Sequence, residues 1–156
     1  MKGNEKVLET LNSLLADELT AINQYMVHSE MCDNWGYARL HEKIEKRAID
    51  EMKHAEKLIK RIIFLEGSPN VGTLRALHIG KDVETQLKND RGGEDKAIAA
   101  YNAAIQEAVE LQDNGTRELL ESILKDEEEH IDWLEAQQDQ ISQMGIQNYL
   151  VEQLHC

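Results

Sequence analysis

Two short motifs in the sequence pair a carboxylate with an imidazole one helical turn apart. Glu51-x-x-His54 and Glu127-x-x-His130 each present both side chains on one face of a helix. Carboxylate and imidazole are ligands for divalent transition metals such as iron, manganese and zinc. A third copy, Glu152-x-x-His155, lies near the end of the chain. Because such pairs also arise by chance, the motif alone does not establish a site.

The apolar pattern around the first two motifs predicts that their side chains point inward. The first motif interrupts an apolar series from Ile44 to Leu58, and the second interrupts a series from Ile123 to Leu134. Both series have the period of an amphipathic helix. Burying carboxylates costs several kcal/mol unless they are paired or bind a metal. A metal site is therefore favoured over a network of buried ion pairs.

Two further glutamates complete a repeated layout. The spacing from Glu18 to Glu51 equals the spacing from Glu94 to Glu127, whereas Leu119 stands at the corresponding position before the third motif. One Glu from each of two helices, plus Glu-x-x-His from each of two others, is the ligand set of dimetal carboxylate bundles, and it suits iron or manganese. The predicted metal-binding and catalytic residues are Glu18, Glu51, His54, Glu94, Glu127 and His130.

Four long helices must position these residues. Apolar periodicity predicts them over about residues 7–30, 40–66, 83–113 and 115–141, with a short fifth helix over 146–154. The connection from Gly67 to Asp82 contains Pro69 and exceeds a normal helix-to-helix turn. Two antiparallel pairs joined by a long crossover are typical of ferritin-like bundles. We therefore predict an all-α, ferritin-like four-helix bundle with a short C-terminal helix, as a single domain over residues 1–156.

The composition narrows the classes of function. A formal net charge of −13 argues against a basic nucleic-acid-binding surface. It suits a protein whose surface attracts cations, or it simply keeps the protein soluble. No apolar run approaches membrane-spanning length. Cys32 and Cys156 are far apart and form no CxxC pair, which predicts a reduced, cytoplasmic compartment.

Several stretches resemble the bacterioferritin family, over essentially the whole chain. They are Glu18–Tyr25, Asn34–Gly36, Asp50–Ala55, Phe64–Gly67, Glu127–Asp132 and Asn148–Leu150. The resemblance implies a shell of 24 identical subunits, or one shared with a second subunit type, that stores ferric mineral. It implies two iron ions per subunit in a ferroxidase centre, with Glu51 and Glu127 as bridging ligands. It also implies dioxygen or hydrogen peroxide as the oxidant, and a small bacterioferritin-associated ferredoxin as the reductant.

Met52 carries the most specific part of the resemblance. A methionine on the outer side of a helix is ordinarily a packing residue. In bacterioferritins, this methionine and its twin from a second subunit bind one haem b per subunit dimer, which aids reductive release of iron. The implied pocket is lined by Leu19, Ile22, Asn23, Met26, Ile49 and Ala55. Glu45 departs from the tyrosine frequent in the family, so the haem contacts are expected to differ.

Other residues complete the predictions. The resemblance implies pore positions at Asn34, Glu66, Asp132 and Asp139, oxidisable aromatics at Tyr25 and Trp133, and an inner-surface iron position at Asp50. Surface roles are predicted for His28, His41, His78 and His155. Because glycine destabilises helix interiors, Gly92-Gly93 predicts a loosened segment and a mobile Glu94. The alternative function is a rubrerythrin-like peroxidase or a non-haem storage ferritin.

Overall fold

The structure is a computed structural model that describes residues 1–156, and its regular elements are all helices. α1 (Glu5–Asn34) packs against α2 (Ala38–Phe64), α3 (Val83–Glu110) packs against α4 (Asn114–Met144), and the short α5 (Ile146–Val151) follows. The predicted all-α, ferritin-like fold, with its long crossover and fifth helix, is confirmed. None of the helices combines the length and the apolar character that a membrane span requires.

Local chemistry fixes where the helices begin and end. The side chains of Asn4, Asp82 and Asp113 accept hydrogen bonds from backbone N–H groups in the first turns of α1, α3 and α4. Caps of this kind stabilise a helix by about 1 kcal/mol each. Gly145, between α4 and α5, has a φ of 80°, a left-handed conformation that glycine adopts without steric cost. The chain therefore ends α4 there and starts α5 in a new direction.

The crossover between α2 and α3 has no regular structure, and α1 supplies hydrogen-bond acceptors for its backbone. Four side chains along α1 accept hydrogen bonds of 2.8 to 3.0 Å from crossover N–H groups. The pairs are Asn12 with Asn70, Thr20 with Arg75, Gln24 with His78, and His28 with Gly80. Because an unpaired backbone donor is costly once buried, these bonds hold the crossover against the bundle.

His28 lies in the interior, so the surface role predicted for it is wrong. Its side chain is 0% exposed, and its Nδ1 lies 2.9 Å from Oδ1 of Asp90 on α3. Gln24 donates a second hydrogen bond of 2.9 Å to the same oxygen. The buried carboxylate of Asp90 is thus satisfied from α1. The sequence pattern missed this contact because the two partners lie on different helices; His78 and His155 are exposed, as predicted.

Two apolar clusters fill the bundle, one toward each end. The larger has twelve buried side chains, including Leu11, Leu58 and Ile123, and the smaller has nine, including Ile44 and Leu134. Between the two clusters, the interior is polar. That polar layer holds the six predicted ligands.

Candidate metal centre

Six buried polar side chains from all four long helices meet in the layer between the apolar clusters, and none is more than 3% exposed. α1 supplies Glu18, α2 supplies Glu51 and His54, α3 supplies Glu94, and α4 supplies Glu127 and His130. They converge because each interrupts the apolar seam of its helix and so turns inward with that seam. The structure therefore brings together all six residues named from the sequence; metal binding by them stays a prediction.

The donor atoms form two overlapping groups. Within each group, ligand atoms from all four residues lie within 4.8 Å of one another. The groups are Glu18, Glu51, His54 and Glu127, and Glu51, Glu94, Glu127 and His130. His54 Nδ1 is 3.0 Å from a Glu127 oxygen, and His130 Nδ1 is 3.0 Å from a Glu51 oxygen. Because Glu51 and Glu127 belong to both groups, they are placed to bridge two cations.

Several potential ligand atoms in the layer make no well-aligned hydrogen bond, even where another polar atom is close, as Glu51 Oε1 is to His130 Nδ1. They are Glu18 Oε2, Glu51 Oε1, Glu94 Oε2, Glu127 Oε2 and His130 Nδ1. Buried polar atoms are nearly always paired in folded proteins, because leaving one unpaired costs about 1–3 kcal/mol and more if it is charged. Carboxylate oxygens with an imidazole nitrogen are the donors that iron and manganese accept. The residues present therefore fit a pair of such ions.

Burial and mutual repulsion shift the pKa values in this layer. Burial, with repulsion by Glu18, raises the pKa of Glu51 well above its usual range, and burial with the adjacent carboxylate of Glu127 does the same for Glu94. Burial lowers the pKa of His54, but the neighbouring carboxylates of Glu127 and Glu18 outweigh it and raise that pKa to about 10. For Glu127, burial is outweighed by the proximity of Glu94 and His54, which lowers its pKa. Protons thus partly neutralise the metal-free layer.

Two tyrosines contact Glu18 and Glu94, the two glutamates outside the Glu-x-x-His motifs, and each tyrosine lies on the other helix of the α1 and α3 pair. Tyr101 of α3 donates a hydrogen bond of 2.6 Å to Glu18, and Tyr25 of α1 donates one to Glu94. Tyr25 was named from the sequence, whereas Tyr101 was not. The spacing from Tyr25 to Tyr101 equals the spacing from Glu18 to Glu94 and the spacing between the two Glu-x-x-His motifs. That equal spacing was the signal that could have found Tyr101.

Two aspartates lie next to the outer ring nitrogens of the histidines, and Asp126 is hydrogen-bonded to one of them. Asp126 lies 2.9 Å from His54 Nε2, and Asp50 lies 3.5 Å from His130 Nε2. A carboxylate on the far nitrogen orients an imidazole and makes it a better ligand. Asp126 was missed, although it follows Asp50 at the same spacing that separates the two motifs. The accessory iron position implied for Asp50 stays a prediction.

The glycine pair before Glu94 does not interrupt α3. The backbone is helical through both Gly92 and Gly93, and a Cβ placed on either would meet no atom within 4 Å. The predicted loosening is therefore not seen as a break in the helix. The predicted mobility of Glu94 stays a prediction.

Met52 faces away from this centre. Glu51 is 2% exposed, whereas Met52 is 45% exposed, with Ile49 and Met26 at 42% and 49%. An accessible thioether among apolar side chains fits the axial ligation of a haem. Of the other positions implied for the pocket, Leu19, Ile22 and Asn23 are partly exposed and Ala55 is buried.

Four long helices that each direct an acid into one buried layer, joined by a long crossover, define a ferritin-like protein. A family model described as a ferritin-like domain matches residues 8–144. Over 149 residues, the chain is 44% identical to a bacterioferritin of Brucella melitensis biotype 1, 42% to one of Rhodobacter capsulatus and 41% to one of Mycobacterium bovis. These matches cover 96% of this chain and 92–94% of the relatives. The chain belongs to the bacterioferritin family.

Proposed function

We propose that this protein takes up ferrous iron, oxidises it at the six-residue centre and stores the ferric product as a mineral. Membership of the bacterioferritin family supports iron storage. The observation that carries the oxidation step is the pair of overlapping donor groups that share Glu51 and Glu127. Two ferrous ions held side by side supply two electrons to one oxidant.

Each residue of the centre has a role in this proposal. Glu51 and Glu127 bridge the two iron ions, Glu18 and His54 complete one position, and Glu94 and His130 complete the other. Oxygen-rich donors favour the harder ferric ion and so assist oxidation. The electron pair and two protons convert dioxygen to hydrogen peroxide, or hydrogen peroxide to two waters. Tyr25, Tyr101, Asp50 and Asp126 hold the ligands in place.

Stopped-flow oxidation of ferrous iron, with dioxygen and with hydrogen peroxide, tests the proposal. Glu18→Ala removes a proposed ligand and is expected to slow oxidation by at least about ten-fold. Losing a residue that only supports a metal ligand already lowers activity about ten-fold or more, so losing a ligand should cost at least as much. Glu9→Ala alters an exposed glutamate of the same helix and is expected to match the unaltered protein. Bound iron is measured afterwards. Glu18→Ala protein that oxidised iron at the normal rate would overturn the assignment.

The proposal extends to an assembly that binds haem. Exposed apolar side chains on the crossover, such as Val71 and Leu74 at 60% and 49%, support burial against other subunits. We propose a shell of 24 subunits, with one haem b per subunit pair held by Met52 from each. When bound, the haem supplies a one-electron relay for reductive release of iron. Sedimentation velocity tests the assembly, since a stable monomer at micromolar concentration would exclude the shell.

A further inference from the structure

A second group of potential metal ligands lies on the outside of the bundle, where α1 ends and α2 begins. Glu30 of α1, with His41 and Glu45 of α2, places one ligand atom from each residue within 4.8 Å of the other two. Both glutamates are exposed, and the side chain of His41 is 24% exposed. None of the three belongs to the six-residue centre, and together they are called the outer cluster below.

The hydrogen bonds of His41 leave one of its ring nitrogens free to bind a cation. Nδ1 lies 3.0 Å from the backbone oxygen of Ser29, which can only accept a hydrogen bond, so Nδ1 carries a hydrogen and donates it. The buried hydroxyl of Ser29, also 3.0 Å from Nδ1, lies 3.4 Å from the backbone oxygen of His41 and donates to it. In the neutral imidazole, Nε2 then has a lone pair. Metal-binding histidines are oriented in the same way, by a partner on the other nitrogen.

The spacing within the outer cluster fits an ion better than a direct hydrogen bond. His41 Nε2 lies 3.6 Å from a carboxylate oxygen of Glu45, which is too long for a hydrogen bond between the two side chains. Two ligands of one tetrahedral Zn²⁺, each at about 2.0–2.2 Å from the metal, lie about 3.3–3.6 Å apart. The observed distance is therefore close to the one between neighbouring ligands of a zinc ion.

Without a cation, the outer cluster brings together only hydrogen-bond acceptors. The lone pair of Nε2 and the oxygens of Glu30 and Glu45 repel one another. A proton on Nε2 would form an ordinary i,i+4 pair with Glu45, but a single proton balances only one of the two carboxylate charges. A divalent ion would balance both charges and also take the lone pair. The chemistry of the group therefore favours a divalent ion over a proton.

We propose that Glu30, His41 and Glu45 bind one divalent cation of the zinc class, separate from the two ions of the six-residue centre. Three protein ligands leave the fourth position of a tetrahedral ion to water. Because both helices supply ligands, the ion joins the end of α1 to the start of α2. Glu45 and Met52 share one face of α2, about 10 Å apart along the helix axis. The ion thus lies on the outer face of the bundle, and the inference does not rest on the proposed function.

Calorimetric titration of metal-free protein with Zn²⁺ at pH 8 counts the sites, because weak competition from protons favours binding. The unaltered protein should bind three ions per subunit, and His41→Gln should bind one ion fewer. Glu45→Gln should weaken the third ion by at least about ten-fold, since losing only a supporting partner of a ligand already costs about 10–100-fold. Glu42→Gln is the matched control, because Glu42 is exposed beside His41 but lies outside the cluster. It should bind three ions.

A variant of the six-residue centre separates the two kinds of site. Glu127→Ala removes a ligand that both donor groups of the centre share. It should lose the two central ions and keep one, which the further change His41→Gln removes. Anomalous scattering at the zinc edge, from crystals of Glu127→Ala grown with Zn²⁺, should place the remaining ion among the three side chains of the outer cluster.

Equal numbers of bound ions in the unaltered protein and in His41→Gln would overturn the outer site and leave the centre intact. Loss of the third ion in Glu42→Gln as well would also overturn it, since general surface charge would then explain the binding. A single ion in the unaltered protein, lost in His41→Gln, would instead overturn the centre and support the outer site. If Glu127→Ala does not fold, the comparison of His41→Gln with Glu42→Gln decides the question.

Discussion

Divalent cations that bind the centre are expected to displace protons from it. Burial lowers the pKa of His54, but the neighbouring carboxylates of Glu127 and Glu18 raise it to about 10, so the imidazole is protonated at pH 7 when no cation is bound. Burial and neighbouring carboxylates raise the pKa values of Glu51 and Glu94. A side chain must lose its proton to bind a metal. Filling the centre therefore releases one proton from His54 and up to one more from each glutamate.

The size of the effect follows from the number of protons released. Each proton changes the apparent dissociation constant about ten-fold per pH unit, or about 1.4 kcal/mol. Between pH 8 and pH 6, one released proton weakens binding about 100-fold, and two weaken it about 10⁴-fold. Lower pH therefore weakens metal binding.

Calorimetric titration with Zn²⁺, in buffers of different ionisation enthalpy, counts these protons directly. His54→Gln should release about one proton fewer at pH 7, because glutamine carries no titratable group in that position. His78→Gln, at an exposed histidine outside the centre, should release as many protons as the unaltered protein. Zn²⁺ binding with no proton release would refute the ionisation states derived from this structure.

Further predictions concern stability, a supporting tyrosine and the haem. Metal-free protein should lose stability as pH rises from about 4.5 to 10, because Glu51, Glu94 and His54 have raised pKa values and hold protons in the folded state that the unfolded chain releases. Thermal unfolding at several pH values measures this. Tyr101→Phe leaves Glu18 unsupported and should weaken Zn²⁺ binding about 10–100-fold. His28→Leu removes a partner of buried Asp90 and should cost about 3–5 kcal/mol in urea unfolding. Met52→Leu should abolish the haem absorption band after reconstitution.

Matched variants separate these effects from general damage. Tyr149→Phe also removes a buried tyrosine hydroxyl, one that bonds to Gln137 rather than to a ligand, and should leave Zn²⁺ affinity unchanged. His78→Leu, at an exposed position, should cost less than about 0.5 kcal/mol. Met144→Leu should keep the haem band. Equal effects from a variant and its control would contradict the corresponding prediction.

The helices and the six inward ligands could be predicted from the sequence because both follow from periodicity along a single helix. An acid that interrupts an apolar seam is carried inward with the seam, as Glu18 is between Leu15 and Ile22. The equal spacing from Glu18 to Glu51 and from Glu94 to Glu127 then relates one helix to the next within each antiparallel pair. Neither signal depends on the detailed packing between the pairs. This explains why the ligand set could be named without coordinates.

Contacts between the two helix pairs were missed because no short-range pattern encodes them. His28 and Asp90 meet only when α1 and α3 pack together. The local sequence around each of them indicates only a polar residue near an apolar seam. Tyr101 fits the apolar seam of α3 by its aromatic ring, and its position in the sequence gives no local sign of the hydrogen bond that its hydroxyl donates to Glu18. Only the longer spacing that relates the two halves of the chain, as from Tyr25 to Tyr101, gives a signal for such contacts.

The metal-free centre is a costly layer, and the apolar clusters on its two sides stabilise the bundle around it. Each fully buried side chain such as Leu11 or Ile123 contributes about 1.5–3 kcal/mol, whereas unpaired buried carboxylates oppose folding. The clusters therefore hold the helices, and so the ligands, in place before any cation arrives. Cations then replace protons and relieve the repulsion among acids already fixed in position. In contrast to a zinc finger, which folds only with its metal, this bundle should keep its helical circular dichroism after chelation while its unfolding midpoint falls.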